Sequence, residues 1–438
     1  MSEQGPKHFV AIIGGAVSGS VAAELLAEDG IEVVVIEQNE RPYGKIEDGL
    51  PRWHAVQRKK EYAKINERLT KPGVHFAPCT KLGRDFTFED LAHSWGFSAV
   101  LLANGAWRDR PFPVPNADRW VGRGLEYQNP FIGWFNHRNE KNYIGKWVEV
   151  PQGAAIFGGG LASIDVVKIC QLESFGRAVR DRGLPWSMHK CEKIGIEKYC
   201  AEVGIDDYKS LEVEPATLFY RRRIEDMPLA QPPADATPEQ LQKTINARRK
   251  LLEIAQNRLK FNVQDCTIPV EFLIESGHVR GIKTQRTEVV DGRPQPVAGS
   301  EEVVRTDLVV SSIGSLPEGI PGIPIKGNHY RWENWDLGKL EGYDGIFGVG
   351  NVVTGKGNIR ASFLHSQQVA NYLRENYFRG ALGAASAEAV KEHLDGREPL
   401  PAEKIEELRT IVRERQIRVG YIADYQTWID THSPSDLE

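Results

Sequence analysis

The chain has 438 residues, 26% of them charged and 41% hydrophobic, with a net charge of −5 at pH 7. That length serves two or three domains with sizeable cores, and the composition is that of a soluble globular protein. The slight acidity argues against a nucleic-acid partner, no apolar run has membrane-spanning length, and the N-terminus MSEQGPKHFV lacks a signal-peptide pattern. The five cysteines, Cys79, Cys170, Cys191, Cys200 and Cys266, form no C-x-x-C pair. This excludes a redox dithiol of the thioredoxin or disulfide-reductase kind and the common iron–sulfur runs, leaves no metal site to expect, and suits a cytoplasmic protein.

The first predicted unit is HFVAIIGGAVSGSVAAELLAEDGIEVVVIEQ. An apolar run, Phe9 to Ile13, meets glycines; an alanine-rich helical stretch and a second apolar run, Ile31 to Ile36, follow. This is a βαβ unit, whose helix N-terminus offers amide hydrogens and a favourable dipole to an anion. Gly14, Gly15, Ala16, Ser18 and Gly19 form the turn, which fits G-x-G-x-x-G except at Ala16. Glu37 ends the second strand twenty-three positions after Gly14, where an acid accepts from ribose hydroxyls. The next segment, NERPYGKIEDGLPRWH, is rich in glycine and proline and is expected to be a loop. RKK at 58 to 60 is read as a solvated face, and as a weaker candidate for docking an acidic carrier.

A second turn lies about 140 residues further on, in QGAAIFGGGLASIDVVKICQLE. Ala154 to Phe157 is the strand and Leu161 to Leu172 the helix; Gly158, Gly160 and Ser163 take the small-residue positions, with Leu161 and Ala162 opening the helix. After an insertion, 173 to 214, comes ATLFYRRRIEDMP: strand 217–220 runs into Arg221, Arg222 and Arg223. An NAD site usually has an acid there; arginine offers a rigid fork of donors to the 2′-phosphate of NADPH. Two dinucleotide folds in one chain suit electron transfer between two cofactors. FAD is expected at the first turn and NADPH at the second.

The basic run NARRKLLEIAQNRLK, 246 to 260, is predicted as a helix with a solvated face, and as a weaker candidate for docking an acidic carrier. Residues 262 to 313 read as short strands turning at ESGHVRG and DGRPQP, with TDLVVSSIG returning a strand to the nucleotide domain. Residues 344 to 378 read as strand, loop and helix. From 379 on, an alanine-rich, charged helical tail is expected, its segment RQIRVGYIADYQTWI packing on the body.

Several stretches resemble the adrenodoxin-reductase-like ferredoxin–NADP reductases and the small subunit of NADPH glutamate synthase. PYGKIEDGLPRWH is similar to their flavin-side loops through Pro42, Gly44, Gly49, Pro51 and His54. AVLLANGAWRDRPFPVPNAD resembles their crossing segment through Ala103, Gly105, Ala106, Arg110 and Pro115, and GGGLASID their nucleotide turn through Gly158, Gly159, Gly160 and Asp165. YRRRIEDMP resembles the glutamate synthase stretch whose paired arginines meet the 2′-phosphate, which implies that role for Arg221 and Arg222. GIFGVGNVVTGKGNIRAS resembles the final flavin segment and implies contacts from Gly350, Asn351, Gly357, Asn358 and Ile359. Ala16 stands where the family has glycine, Leu161 where it has asparagine, and Asn351 where it has tryptophan or aspartate. The N-terminal iron–sulfur domain of the glutamate synthase subunit is not expected here.

The resemblance implies an α/β protein with two Rossmann-like dinucleotide-binding domains: an FAD domain from 1–115 and 322–438, and an NAD(P) domain inserted at 116–321. It implies electron transfer between NADPH and a ferredoxin- or flavodoxin-like carrier, or service as the flavoprotein subunit of a larger complex. His54 is the candidate for a catalytic polar or proton contact beside the flavin, with Asp165 as its possible partner.

Overall fold

Strand Phe9–Ile13 is buried along its whole length, as a parallel strand covered on both faces must be. The computed structural model describes residues 7–141, 143–233, 235–378, 397–421 and 424–434. The chain divides into two compact units: one of Met1–Glu47, His54–Arg108 and Ser315–Glu438, the other of Asp48–Trp53 and Asp109–Gly314. Each is a Rossmann-like α/β fold.

In the first unit, strands Val74–Ala77, Glu32–Ile36, Phe9–Ile13, Ala99–Leu102 and Ile346–Gly348 lie side by side and parallel, in that order. Two short antiparallel strands, Lys339–Leu340 and Trp332–Asn334, extend the last edge. Helix Val17–Glu28 follows the first strand; its first seven residues are small or β-branched and all are buried. Small side chains let it pass close to the sheet and to helix Ile359–Tyr372, whose Ser366 Oγ donates to the Ser18 carbonyl at 2.6 Å.

The loop expected after Glu37 contains a short helix, Lys45–Asp48, and a 3₁₀ turn, Arg52–His54. Gly44 at φ +49° makes the reversal that starts that helix. The solvated face expected at 58–60 is corrected for one residue. Arg58 is 2% exposed and donates through Nε to Tyr62 Oη at 3.0 Å, while Lys59 and Lys60 are exposed. Arg58 shares the buried stripe of helix Ala55–Leu69 with Glu61, Tyr62, Ile65 and Leu69, so helical phase overrides its charge.

The alanine-rich start of the tail, 379–396, lies outside the described residues. Beyond it, helices Ala402–Arg418 and Tyr425–Thr431 pack on the first unit, as expected of RQIRVGYIADYQTWI. Arg409 clasps Glu32 at 2.7 and 2.8 Å, Gln416 donates to the Phe76 carbonyl, and Trp428 Nε1 donates to the Glu40 carbonyl at 2.8 Å.

In the second unit the parallel order is Leu125–Tyr127, Val309–Ser312, Ala155–Gly158, Thr217–Phe219, Asn262–Gln264. The helix after the glycines runs Leu161–Asp181, past the expected end at Leu172, so the insertion is largely its continuation plus helices Met188–Ile194 and Ile196–Glu202. Helix Pro238–Leu259 starts at a Thr237/Gln240 capping box, earlier than the basic run. Arg248 on it donates to the carbonyls of Ala230 and Glu225, and Arg249 pairs with Glu225, so two of its cations are committed internally. The strands expected to be short are long: Thr267–Glu275, His278–Val290 and Arg293–Arg305 form an antiparallel sheet. Ser276-Gly277 and Asp291-Gly292 are two-residue turns with positive φ throughout, the kind that continues a ladder without interruption.

Candidate functional site

Each unit presents a glycine turn at the C-terminal edge of its sheet, where successive strands depart in opposite directions. In the first unit, Gly14 at φ +104° lies between the neighbouring strand ends. A Cβ on it would come 2.7 Å from the Ala103 carbonyl oxygen. A Cβ on Gly19 would sit 1.8 Å from the Gly14 carbonyl oxygen, so the helix can start there only on glycine. Ala16 precedes the helix in an extended conformation and makes no side-chain cap, which leaves the first amides of the helix to another acceptor.

Glu37 is 3% exposed, and it braces this turn from below. Its carboxylate accepts from the Gly15 amide at 2.8 Å and from the Asn39 amide at 3.0 Å. The loop beyond it folds over the glycines: a Cβ on Gly15 would meet the Pro42 ring at 2.6 Å, and one on Gly44 would meet the Ala16 methyl at 3.0 Å. Gly105 turns at φ +66° beside the Trp107 indole, and Lys45 lies over that ring.

The far end of the chain joins the same turn. Gly350, at φ +75°, is pressed on Ser18; a Cβ would lie 1.8 Å from Ser18 Oγ. The Gly350 amide donates to His365 Nδ1 at 3.0 Å. Burial pushes the His365 imidazole below its ordinary pKa, and the neutral ring accepts this bond. Asn351 accepts from the Gly357 amide at 2.7 Å, and Asn358 caps the helix that begins at Ile359 by accepting from the Ala361 amide at 2.8 Å. The first unit thus brings together Gly14, Gly15, Ala16, Ser18, Gly19, Glu37, Gly44, Ala103, Gly105 and the segment Gly350–Ile359. His365 is the member the sequence reading missed. Its signal was the helical phase that puts His365 on one face with the buried Val369 and Ala370.

In the second unit, a Cβ on Gly158 would lie 2.3 Å from the Ser312 carbonyl oxygen and one on Gly159 would strike the Tyr220 ring at 2.3 Å, whereas Gly160 faces open space. Ser163 Oγ donates back to the Gly160 carbonyl at 2.6 Å. Leu161 is 57% exposed and Ala162 half-buried at the open helix start. Tyr220 follows the neighbouring strand Thr217–Phe219, and Arg221 comes directly after it.

The three arginines differ. Arg222 donates to Tyr220 Oη at 3.2 Å and to the carbonyls of Asp226 and Gly292 at 3.1 and 3.4 Å. Arg223 pairs with Asp226 at 3.0 Å. Arg221 is exposed, and its side chain has no hydrogen-bond or ion-pair partner among the described residues; only its carbonyl is engaged, by Thr287. Gly49 lies in the crossover Asp48–Trp53, with the second unit. His54 belongs to the first unit and precedes helix Ala55–Leu69. Asp165 belongs to the second, 3.6 Å from Lys168, which also pairs with Glu192 at 2.6 Å.

Two turns of this geometry define a protein with two Rossmann-like dinucleotide-binding folds. Residues 12–51 match a family described as an NAD(P)-binding Rossmann-like domain. The NADPH glutamate synthase small chain of Escherichia coli is 25% identical over 334 residues, covering 71% of this chain and 55% of its own length. The NADPH-Fe(3+) oxidoreductase subunit beta of Geobacter sulfurreducens is 25% identical over 322 residues, 70% of this chain and 37% of its own. The solved structure of Mycobacterium tuberculosis FprA in complex with NADPH has a TM-score of 0.68 at 18% identity, covering 94% of this chain and 91% of that one. The chain is a homologue of the glutamate synthase small chains and shares the fold of FprA; it spans only 37% to 55% of the length of the two curated relatives. Among the described residues no helix is long and apolar enough to cross a membrane.

Proposed function

We propose that the chain is an FAD-dependent oxidoreductase that passes electrons between NADPH and a ferredoxin- or flavodoxin-like carrier. The observation that carries this is the presence of two glycine turns followed by opposite charges, the buried Glu37 after one and, after the other, Arg221, whose side chain has no partner among the described residues. FAD fits the first turn. Gly14, Gly15, Gly19 and Gly350 let the strand ends and loops close tightly around the turn, and the uncapped helix start behind Ala16 suits a pyrophosphate. The flavin would supply hydride acceptance and single-electron release.

This chain's own residues bind and orient. Ala103, Gly105 and Gly44 shape the loops around the first site, while Gly350, Asn351, Gly357, Asn358 and Ile359 form a segment that ends in a helix start and is held in place by the Gly350 amide on His365 and the Gly357 amide on Asn351. Gly49 and His54 take the flavin-side loop role, His54 as a polar or proton contact. At the second turn, Gly158, Gly160, Leu161 and Ala162 receive the NADPH pyrophosphate and Arg221 its 2′-phosphate. Arg222 and Asp165 hold the surrounding backbone and helix, Asp165 through Lys168.

A second reading has its own support: the relatives are a "small chain" and a "subunit beta". On that reading the chain delivers electrons to a partner's catalytic centre and turns over little alone. The test is the visible spectrum of the purified chain, titrated anaerobically with NADPH and then NADH. A flavin band bleached by NADPH, with steady turnover only when a ferredoxin is added, supports the first reading. Bleaching without turnover, and a co-purifying partner, supports the second. Absence of flavin after reconstitution with FAD refutes both.

A further inference from the structure

The crossover Asp48–Trp53 belongs to the second unit, although the chain on either side of it belongs to the first. Helix Gln128–His137 holds it. Asn136 Nδ2 donates to the Leu50 carbonyl at 2.9 Å, the Trp53 ring meets Phe135 at 5.3 Å, and Lys168 lies 4.8 Å over the Trp53 ring. His137 Nε2 lies 2.8 Å from Asp48 Oδ1, and the Nδ1 of the same imidazole lies 2.8 Å from Glu140 Oε1. An ionised carboxylate only accepts, so each ring nitrogen must donate, and only the imidazolium carries two N–H groups. His137 is also the last residue of its helix, where the carbonyl end favours a cation. On the helix packed alongside, Leu161–Asp181, Glu173 pairs with Arg138, Lys168 pairs with Asp165 and Glu192, and Arg177 donates to the Val150 carbonyl; Arg180 and Asp181 lie at its far end.

We propose that His137 is a positioning residue whose protonation latches the crossover through Asp48. A neutral ring keeps one N–H. Glu140 is three residues away in the same turn, so holding it orders little additional chain, whereas Asp48 arrives from a distant part of the sequence. Deprotonation therefore leaves Glu140 bonded and turns a ring lone pair towards the Asp48 carboxylate. The bonds to Asp48 and Glu140 raise the His137 pKa against the opposing effect of burial. With a raised pKa, the latch is complete below about 6.5, the ordinary imidazole value, and is lost as pH rises through the folded value.

The latch stands on geometry alone, but its bearing on electron transfer rests on the proposed function, because the crossover carries Gly49 and Pro51 and leads into His54. The test uses the full chain with selectively ¹⁵N-labelled histidine. The imidazole titration of His137 is followed by NMR in the wild type, Asp48→Asn and Glu140→Gln. Hydrogen exchange over 48–54, corrected for intrinsic pH dependence, is measured on both sides of the midpoint. The latch requires a wild-type midpoint above about 6.5 that falls in Asp48→Asn. It also requires exchange that rises about tenfold across that midpoint, the worth of one charge-assisted hydrogen bond. His137→Gln should exchange fast at every pH. A midpoint at the ordinary value, or exchange indifferent to the titration, overturns the latch. A titrating latch in a chain that binds no flavin upholds the latch and overturns only the functional reading.

Discussion

Replacing Arg221 with alanine should cost NADPH binding and nothing else. Its side chain is exposed and anchors no other part of the protein among the described residues. An exposed, charge-assisted contact to a phosphate is worth roughly 1.5 kcal/mol, about tenfold in affinity. NADH has no 2′-phosphate and should bind as before. Arg222→Ala should behave differently, because Arg222 ties Tyr220 Oη to the carbonyls of Asp226 and Gly292, and the Tyr220 ring is what Gly159 rests on. Losing those bonds should destabilise the second unit by about 2 kcal/mol and lower its Tm by several degrees. It should weaken both nucleotides together through a displaced turn. The assay is anaerobic reduction of the flavin band by each nucleotide, beside a thermal melt of each variant. Equal loss of NADPH and NADH in Arg221→Ala would refute the division of labour. So would an Arg222→Ala chain with an unchanged melt and a selective NADPH defect.

Two further outcomes concern a pair of glycines and a buried carboxylate. Gly19→Ala places a methyl 1.8 Å from a backbone oxygen that cannot move aside, so it should destabilise by more than about 3 kcal/mol. Gly133→Ala, a helical glycine facing open space, should instead stabilise by about 0.5–1 kcal/mol; comparable melts for the two would show that the contact at Gly19 is not close. Glu32 is buried, which opposes its ionisation, yet its bonds to His75 and Arg409 hold its pKa below the usual value. Its contribution to stability is therefore present above about pH 4.3 and is lost as pH falls through the depressed value. Glu32→Gln should lower stability by about 3 kcal/mol at neutral pH and flatten the acid limb of a Tm-against-pH curve; an unaltered acid limb would mean the pair contributes nothing.

The parallel cores were legible because periodicity and turn chemistry agree there. Phe9 to Ile13 and Ile31 to Ile36 are too apolar for anything but doubly covered strands, and the glycines mark where they end. The long antiparallel ribbon was read as short strands because solvent-exposed strands such as Arg293–Arg305 carry no hydrophobic run. Only the Ser276-Gly277 and Asp291-Gly292 pairs announce the hairpins. Arg58 was misread because a charge outweighed its phase with Tyr62, Ile65 and Leu69. The inequality of Arg221, Arg222 and Arg223 was not legible at all. It depends on which carbonyls the loop after Tyr220 brings within reach, and that is tertiary information.

The two turns also show what the glycine motif requires. In both, the first glycine admits a carbonyl across the switch point, Ala103 beside Gly14 and Ser312 beside Gly158. The third position differs. Residue 19 must be glycine because its missing Cβ faces the Gly14 oxygen, whereas Ser163 is tolerated and uses its hydroxyl to bond the Gly160 carbonyl. The requirement is thus a set of close approaches rather than a count of glycines, and Ala16 is compatible with it because residue 16 meets the loop at Gly44 instead of a carbonyl. Since both turns satisfy that requirement, the glycines cannot decide which nucleotide each takes. The decision falls to the end of the second strand. There the Glu37 carboxylate, buried and bonded to the Gly15 amide, would repel a 2′-phosphate, whereas after the second unit's strand Thr217–Phe219 the exposed Arg221 guanidinium, without a partner among the described residues, would draw one in.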